Sequence, residues 1–142
     1  MKKLSLLVWG FALALHGYAQ DRYLSANQYP EPIKTYVAKH FPKLKINSLK
    51  EDRERNKIAY ELKLSDSTEI KFDKSYQVKE IESHKALPKS VLPLALKKYV
   101  TTNYPSHTIV AWEKERSKQK LELKPKVELV FDLKGNFLRI DP

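Results

Sequence analysis

Apolar residues recur along this chain in two rhythms, and each rhythm occurs twice. Ile33, Tyr36, Val37, His40 and Phe41 fall at i, i+3, i+4, i+7 and i+8, one stripe at the helical period. Leu92, Ala95, Leu96, Tyr99 and Val100 repeat it. Pro30 or Pro32 in the first segment, and Pro93 in the second, suit a first helical turn, where an N–H has no intrahelical partner to lose. Pro42 and Pro105 stop both helices, because the residue before a proline is driven out of the helical region. Residues 87–91 predict a short extra turn that breaks at Pro93.

After each helix the period drops to two, the mark of half-buried strands. Ile58, Tyr60, Leu62 and Leu64 alternate with polar or small neighbours, and Thr68, Ile70 and Phe72 do the same after a turn at Ser65-Asp66-Ser67. The counterparts are Leu121 and Leu123, then Val127, Leu129 and Phe131, joined around Pro125. Lys134-Gly135-Asn136 predicts a hairpin turn with a glycine free to take positive φ. Lys74-Ser75-Tyr76 has no glycine there, which predicts a looser turn. Flanking strands are expected at 45–50, 77–82, 108–114 and 136–140.

The two series align as an internal repeat. Residues 29–42 match 92–105 at a constant offset, pairing Pro30 with Pro93, Tyr36 with Tyr99 and Pro42 with Pro105. Glu69-Ile70-Lys71-Phe72-Asp73 then matches Glu128-Leu129-Val130-Phe131-Asp132, and Ile81 matches Ile140, after a loop shortened in the second copy. The expected fold class is α+β: two tandem α-β-β-β-β repeats, residues 20–83 and 84–142, with the helices packed on one face of an antiparallel sheet. Separate sheets stay open as an alternative. Strand edges favour joining into one continuous eight-stranded sheet, since unpaired edges invite aggregation.

The N-terminus sets the expected compartment. Lys2 and Lys3 precede an apolar run from Leu4 to Leu15, and Gly17-Tyr18-Ala19 places small residues at a signal-peptidase site, predicting cleavage after Ala19. A membrane anchor would need about 20 apolar residues, and His16, Gln20, Asp21 and Arg22 cut the run short. With no cysteine at the cleavage region a lipoprotein is not expected, so the product is read as exported, periplasmic or secreted, without a transmembrane segment after cleavage. Loss of Lys2 and Lys3 takes the formal charge from +10 to +8. The absence of cysteine excludes disulfides, thiol redox chemistry and thiolate metal sites.

No catalytic constellation emerges. There is no Gly-x-Ser-x-Gly elbow, and His40, His84 and His107 lack metal-ligand spacing. With only three glycines there is no phosphate-cradling loop. Asp73 and Asp132 occupy equivalent places and read as turn residues. No catalytic residue, cofactor or metal is therefore expected. Basic residues cluster at Arg53, Arg55 and Lys57, and at Lys114, Arg116, Lys118 and Lys120. Both clusters are mixed with acids at the same hairpin of each copy and read as solvated tips, and export argues against nucleic acid. Tyr36, Tyr99, Phe72, Phe131 and Trp112 read as core, whereas Tyr23 and Tyr76 have no evident structural role.

The paired units, the aromatic-Pro helix stops Phe41-Pro42 and Tyr104-Pro105, the Tyr60-Glu61-Leu62-Lys63-Leu64 strand, the two Glu-Ile/Leu-x-Phe-Asp strands and the closing Phe131-Asp132-Leu133-Lys134-Gly135-Asn136-Phe137-Leu138-Arg139-Ile140-Asp141 resemble the PepSY-like family of exported, β-lactamase-inhibitor-like bacterial proteins. The resemblance spans residues 24–141 and implies a helix-on-sheet scaffold with a binding or inhibitory role and no catalytic residues. Gln119 stands where the family pattern favours the aromatic seen at Tyr60, and Pro125 replaces a polar turn residue. The expected function is a non-catalytic module that binds a protein or peptide of the envelope on the helix-free sheet face, through Glu61, Lys63, Glu69, Lys71, Glu122, Lys124, Glu128 and Val130. The alternatives are a small-ligand sensor or accessory protein binding between the copies and, more remotely, a hydrolase.

Overall fold

The computed structural model describes residues 21–53 and 59–142. The expected signal sequence and its cleavage point lie outside the described residues, as do Arg55, Lys57 and Ile58. In chain order the elements are β1 (Arg22–Tyr23), α1 (Glu31–His40), β2 (Ile46–Glu51), β3 (Tyr60–Leu64), β4 (Glu69–Phe72) and β5 (Val78–Glu82). They continue with α2 (Leu94–Asn103), β6 (Thr108–Lys114), β7 (Lys118–Lys124), β8 (Val127–Asp132) and β9 (Phe137–Asp141). Short 3₁₀ turns at Ala26–Gln28 and Lys89–Val91 precede the helices. Pro30 and Pro93 cap the helices, Pro32 lies in the first turn of α1, and Phe41 and Tyr104 end them just before the prolines.

All strands pair antiparallel with their sequence neighbours in one nine-stranded sheet, order β1 to β9. The expectation of eight strands is corrected by β1, two residues that pair with Glu51 and Lys50 and are too short to show any period. The halves meet at β5 and β6, where Ile81 lies opposite Trp112 and Glu80 opposite Glu113. One row of partners, Leu49–Leu62–Ile70–Ile81–Trp112–Leu121–Leu129–Ile140, therefore runs across eight strands. Apart from Ile140 its members are buried, and they form one core with Ile33, Val37, Leu96 and Val100 of the helices. Both helices thus cover the same face. Each buried aliphatic side chain there contributes roughly 1.5–3 kcal/mol. Tyr36 meets Phe72 edge-on at 5.6 Å and Tyr99 meets Phe131 edge-on at 5.2 Å, so equivalent aromatic contacts fix each helix to its strands.

Two departures from strict repetition are compensated locally. Trp112 and Gln119 replace the Leu49 and Tyr60 of the first half. The indole Nε1–H donates to Gln119 Oε1 at 3.1 Å, and Gln119 Nε2 donates to the Asp132 carbonyl at 3.1 Å. A buried indole needs an acceptor, and the glutamine supplies it. The second departure is the 74–76 turn, which is not looser than its counterpart. Asp73 N–H donates to the Gln77 carbonyl and Tyr76 N–H to that of Asp73, as Asp132 donates to Asn136 and Gly135 to Asp132. Tyr76 takes φ +61 and Gly135 φ +91. The left-handed tyrosine is strained by about 1–2 kcal/mol, offset by stacking on Tyr60 at 5.3 Å, which gives Tyr76 the structural role its sequence position did not reveal.

Candidate functional site

The helix-free face is where the strands leave their alternate residues open. Its first cross-strand row is Tyr23–Lys50–Glu61–Lys71–Glu80–Glu113–Lys120–Val130–Arg139. The second is Lys63–Glu69–Glu82–Ala111–Glu122–Glu128–Asp141. Acids lie directly opposite acids at Glu69–Glu82, Glu80–Glu113, Glu122–Glu128 and Glu128–Asp141. Like charges in that arrangement destabilise a sheet, so stability alone does not select it.

Most lysines of this face are already engaged. Lys63 pairs with Glu69 at 3.0 Å, Lys71 with Glu80 at 3.0 Å, and Lys50 with Glu61 at 2.9 Å and Asp21 at 3.1 Å. Hydrogen bonds from Glu61 and then Asp21 push the Lys50 ammonium well above the usual lysine range. Lys120 reaches Glu128 at 3.3 Å and Glu115 at 3.6 Å. Among the described residues Glu82, Glu113, Glu122 and Lys124 make no ion pair. The three carboxylates surround Ala111: Glu82 and Glu122 face it from β5 and β7, and Glu113 follows it two residues on along β6. Burial, then Glu80 and Glu115, raise the Glu113 carboxyl above the ordinary range. Around the small alanine these three carboxylates form an acidic patch at the junction of the two halves.

Of the eight residues read from the sequence, all lie on this face. Glu61, Lys63, Glu69, Lys71 and Glu128 are held in ion pairs, and Glu122 and Lys124 are unpaired. Val130 is 0% exposed and offers no contact surface. Sequence reading missed Glu80, Glu82 and Glu113. Alternation with the apolar Ile81 and Trp112 is the signal that could have found them, but only the β5–β6 register brings them together with Glu122.

On the helix side a groove of about 400 Å³ runs between the halves. Tyr36, His40 and Tyr76 wall it from the first half, and Ser90, Trp112 and Lys114 from the second. His40 Nδ1 and Ser90 Oγ lie 2.8 Å apart and bridge the two. Burial, and then Lys39, lower the His40 pKa. Burial raises the Tyr36 phenol far above the usual tyrosine range. No described residue lining the groove carries a carboxylate. Asp73 and Asp132 are turn residues. Each carboxylate accepts two backbone N–H bonds, from Ser75 at 2.8 Å and Gln77 at 2.9 Å, and from Lys134 and Asn136 at 2.9 Å. Among the described residues no three His, Asp or Glu side chains are placed to hold a metal ion, and no helix is long and apolar enough to cross a membrane.

A nine-stranded antiparallel meander with two helices on one face defines an α+β scaffold. A model of the family described as "Putative beta-lactamase-inhibitor-like, PepSY-like" matches the chain twice, over residues 18–80 and 59–139, and the chain belongs to that family. Among solved structures, a "putative calcium-regulated periplasmic protein" of Bacteroides thetaiotaomicron is 29% identical, with TM-score 0.79 over 86% of this chain and 97% of that one. A "putative periplasmic protein of unknown function" of Bacteroides vulgatus is 28% identical, with TM-score 0.79 over 87% of this chain and all of that one. No curated protein matches the chain.

Proposed function

We propose that this protein is a non-catalytic periplasmic binding module, built of two α-β-β-β-β repeats, whose open sheet face receives a protein or peptide with a basic contact surface. The observation that carries this reading is the set of three unpaired carboxylates, Glu82, Glu113 and Glu122, around Ala111 on a face whose other acids are largely neutralised. The inhibitor-like family and the periplasmic description of the similar structures support compartment and class. A lysine or arginine set among these carboxylates relieves the acid–acid opposition and gains charge-assisted hydrogen bonds. The test is capture from periplasmic extract with the tagged protein and with the E82Q/E113Q/E122Q variant. The wild type is expected to enrich a basic partner and release it as salt rises, and the variant is expected to lose it. Undiminished capture by the variant contradicts the proposal.

The groove beside His40 and Ser90 favours a second reading, a small ligand held between the repeats. Trp112, which lines it, reports occupancy by its fluorescence. A ligand that changes this emission in the wild type but not in the Ser90→Phe variant supports the groove over the sheet face, and an unchanged response in that variant counts against it.

A further inference from the structure

We propose that the outer edge of β9 is a homodimer interface, in which two copies of the chain pair β9 with β9 antiparallel about a twofold axis at Ile140. The internal comparison between the halves carries the inference. Ile81 of β5 and Ile140 of β9 occupy equivalent positions. Ile81 is 0% exposed because β6 lies alongside and sets Trp112 opposite it, whereas Ile140 is 55% exposed with no strand beyond it among the described residues. Leu138 of the same strand is also exposed. Edge strands are ordinarily blunted by shortness or charge. The opposite edge obeys this, for β1 has two residues and is flanked by Asp21. β9 is longer and carries apolar side chains where the equivalent β5 is covered.

Symmetry and charge select the occupant. Joining β9 to β1 of another copy would be heterologous and would propagate without closing, whereas β9 on β9 closes after two chains. The internal joint pairs β5 with β6, the counterpart of β2, but β2 is covered by β1 and cannot receive β9. Directly opposite residues must share a face, so the axis passes through a residue and not between two. An axis at Arg139 sets two arginines against each other. An axis at Ile140 sets Ile140 against its own copy on the helix side. On the open side it then places Arg139 against Asp141 of the second copy, and the reverse. Arg139 Nε already lies 2.7 Å from Asp141 Oδ1 within one chain, so dimerisation builds a four-member ion-pair cluster.

The test is sedimentation equilibrium of the protein purified from the envelope of expressing cells, across a micromolar to millimolar range. The expected result is a species of twice the chain mass at the upper end. Arg139→Asp raises the dimer dissociation constant by at least about tenfold, the R139D/D141R exchange restores dimerisation, and Ile140→Lys abolishes it, with circular dichroism confirming that each variant is folded. A wild-type chain that stays monomeric throughout overturns the proposal. So does a dimer indifferent to R139D and I140K, or an exchange variant that fails to recover.

Discussion

Trp112 and Gln119 show how one residue change calls for another. Gln119 is 3% exposed and serves both the indole N–H and a turn carbonyl. Gln119→Leu leaves these groups unpaired, and the expected loss is about 1–3 kcal/mol in urea unfolding. The double change W112L/Q119Y removes the indole together with its acceptor, placing the leucine and tyrosine that the first half carries at positions 49 and 60, and is expected to recover part of the loss, a coupling that a double-mutant cycle measures. Glu113 and Asp73 make opposite predictions for pH. Glu113 holds its proton more tightly in the fold than in the unfolded chain, so its unfavourable contribution is full above the raised pKa and disappears as pH falls through it. Glu113→Gln is therefore expected to raise stability at neutral pH and to narrow its difference from acidic pH. For Asp73, burial raises proton affinity, but hydrogen bonds from Gln77 and Ser75 and the Lys79 ion pair outweigh it. Its stabilisation is present above the ordinary aspartate pKa and is lost as pH falls through the depressed folded value. Asp73→Ala is expected to cost about 1 kcal/mol in urea unfolding at neutral pH and little in acid. The turn role of Asp73 was legible in the sequence because it depends on near neighbours. The fate of Val130 was not, since its burial depends on what covers it.

The turns after β4 and β8 are where local pattern misled. A turn without glycine reads as loose, yet Tyr76 holds the same left-handed conformation as Gly135 by stacking on Tyr60. Gly135 is required for a further reason: a Cβ there would lie 2.5 Å from Ala95 Cβ of α2. Gly135→Ala is expected to cost at least about 1–2 kcal/mol for the backbone alone, plus the displacement of α2, measured by urea unfolding. The helices were legible from a stripe at the 3.6-residue period and the prolines that bound it, although Leu92, the first residue of the second stripe, lies before α2, which starts at Leu94. The strands were legible as far as their alternation extends, which leaves out β1.

At the scale of the whole molecule the join between β5 and β6 makes the two halves one sheet with one core. Leu62→Ala in the first half and Leu121→Ala in the second are each expected to cost about 2–5 kcal/mol. Both should lower the same unfolding midpoint, seen identically by Trp112 fluorescence and far-ultraviolet circular dichroism. Separate transitions would contradict a shared core. The join also brings the acidic cluster together, which is why the site was only half visible in the sequence. Glu122 was legible as an outward residue of a recognised strand, whereas Glu82 and Glu113 meet it only through long-range register. Unpaired acids therefore lie at the centre of the open side. The most direct test is amide chemical-shift mapping while a short oligolysine peptide is titrated in, with oligoglutamate as control. Shifts concentrated at residues 80–82, 111–113 and 120–122, caused by oligolysine and abolished by E82Q/E113Q/E122Q, are the predicted result. Shifts scattered over the surface, or confined to the groove beside His40, would contradict it.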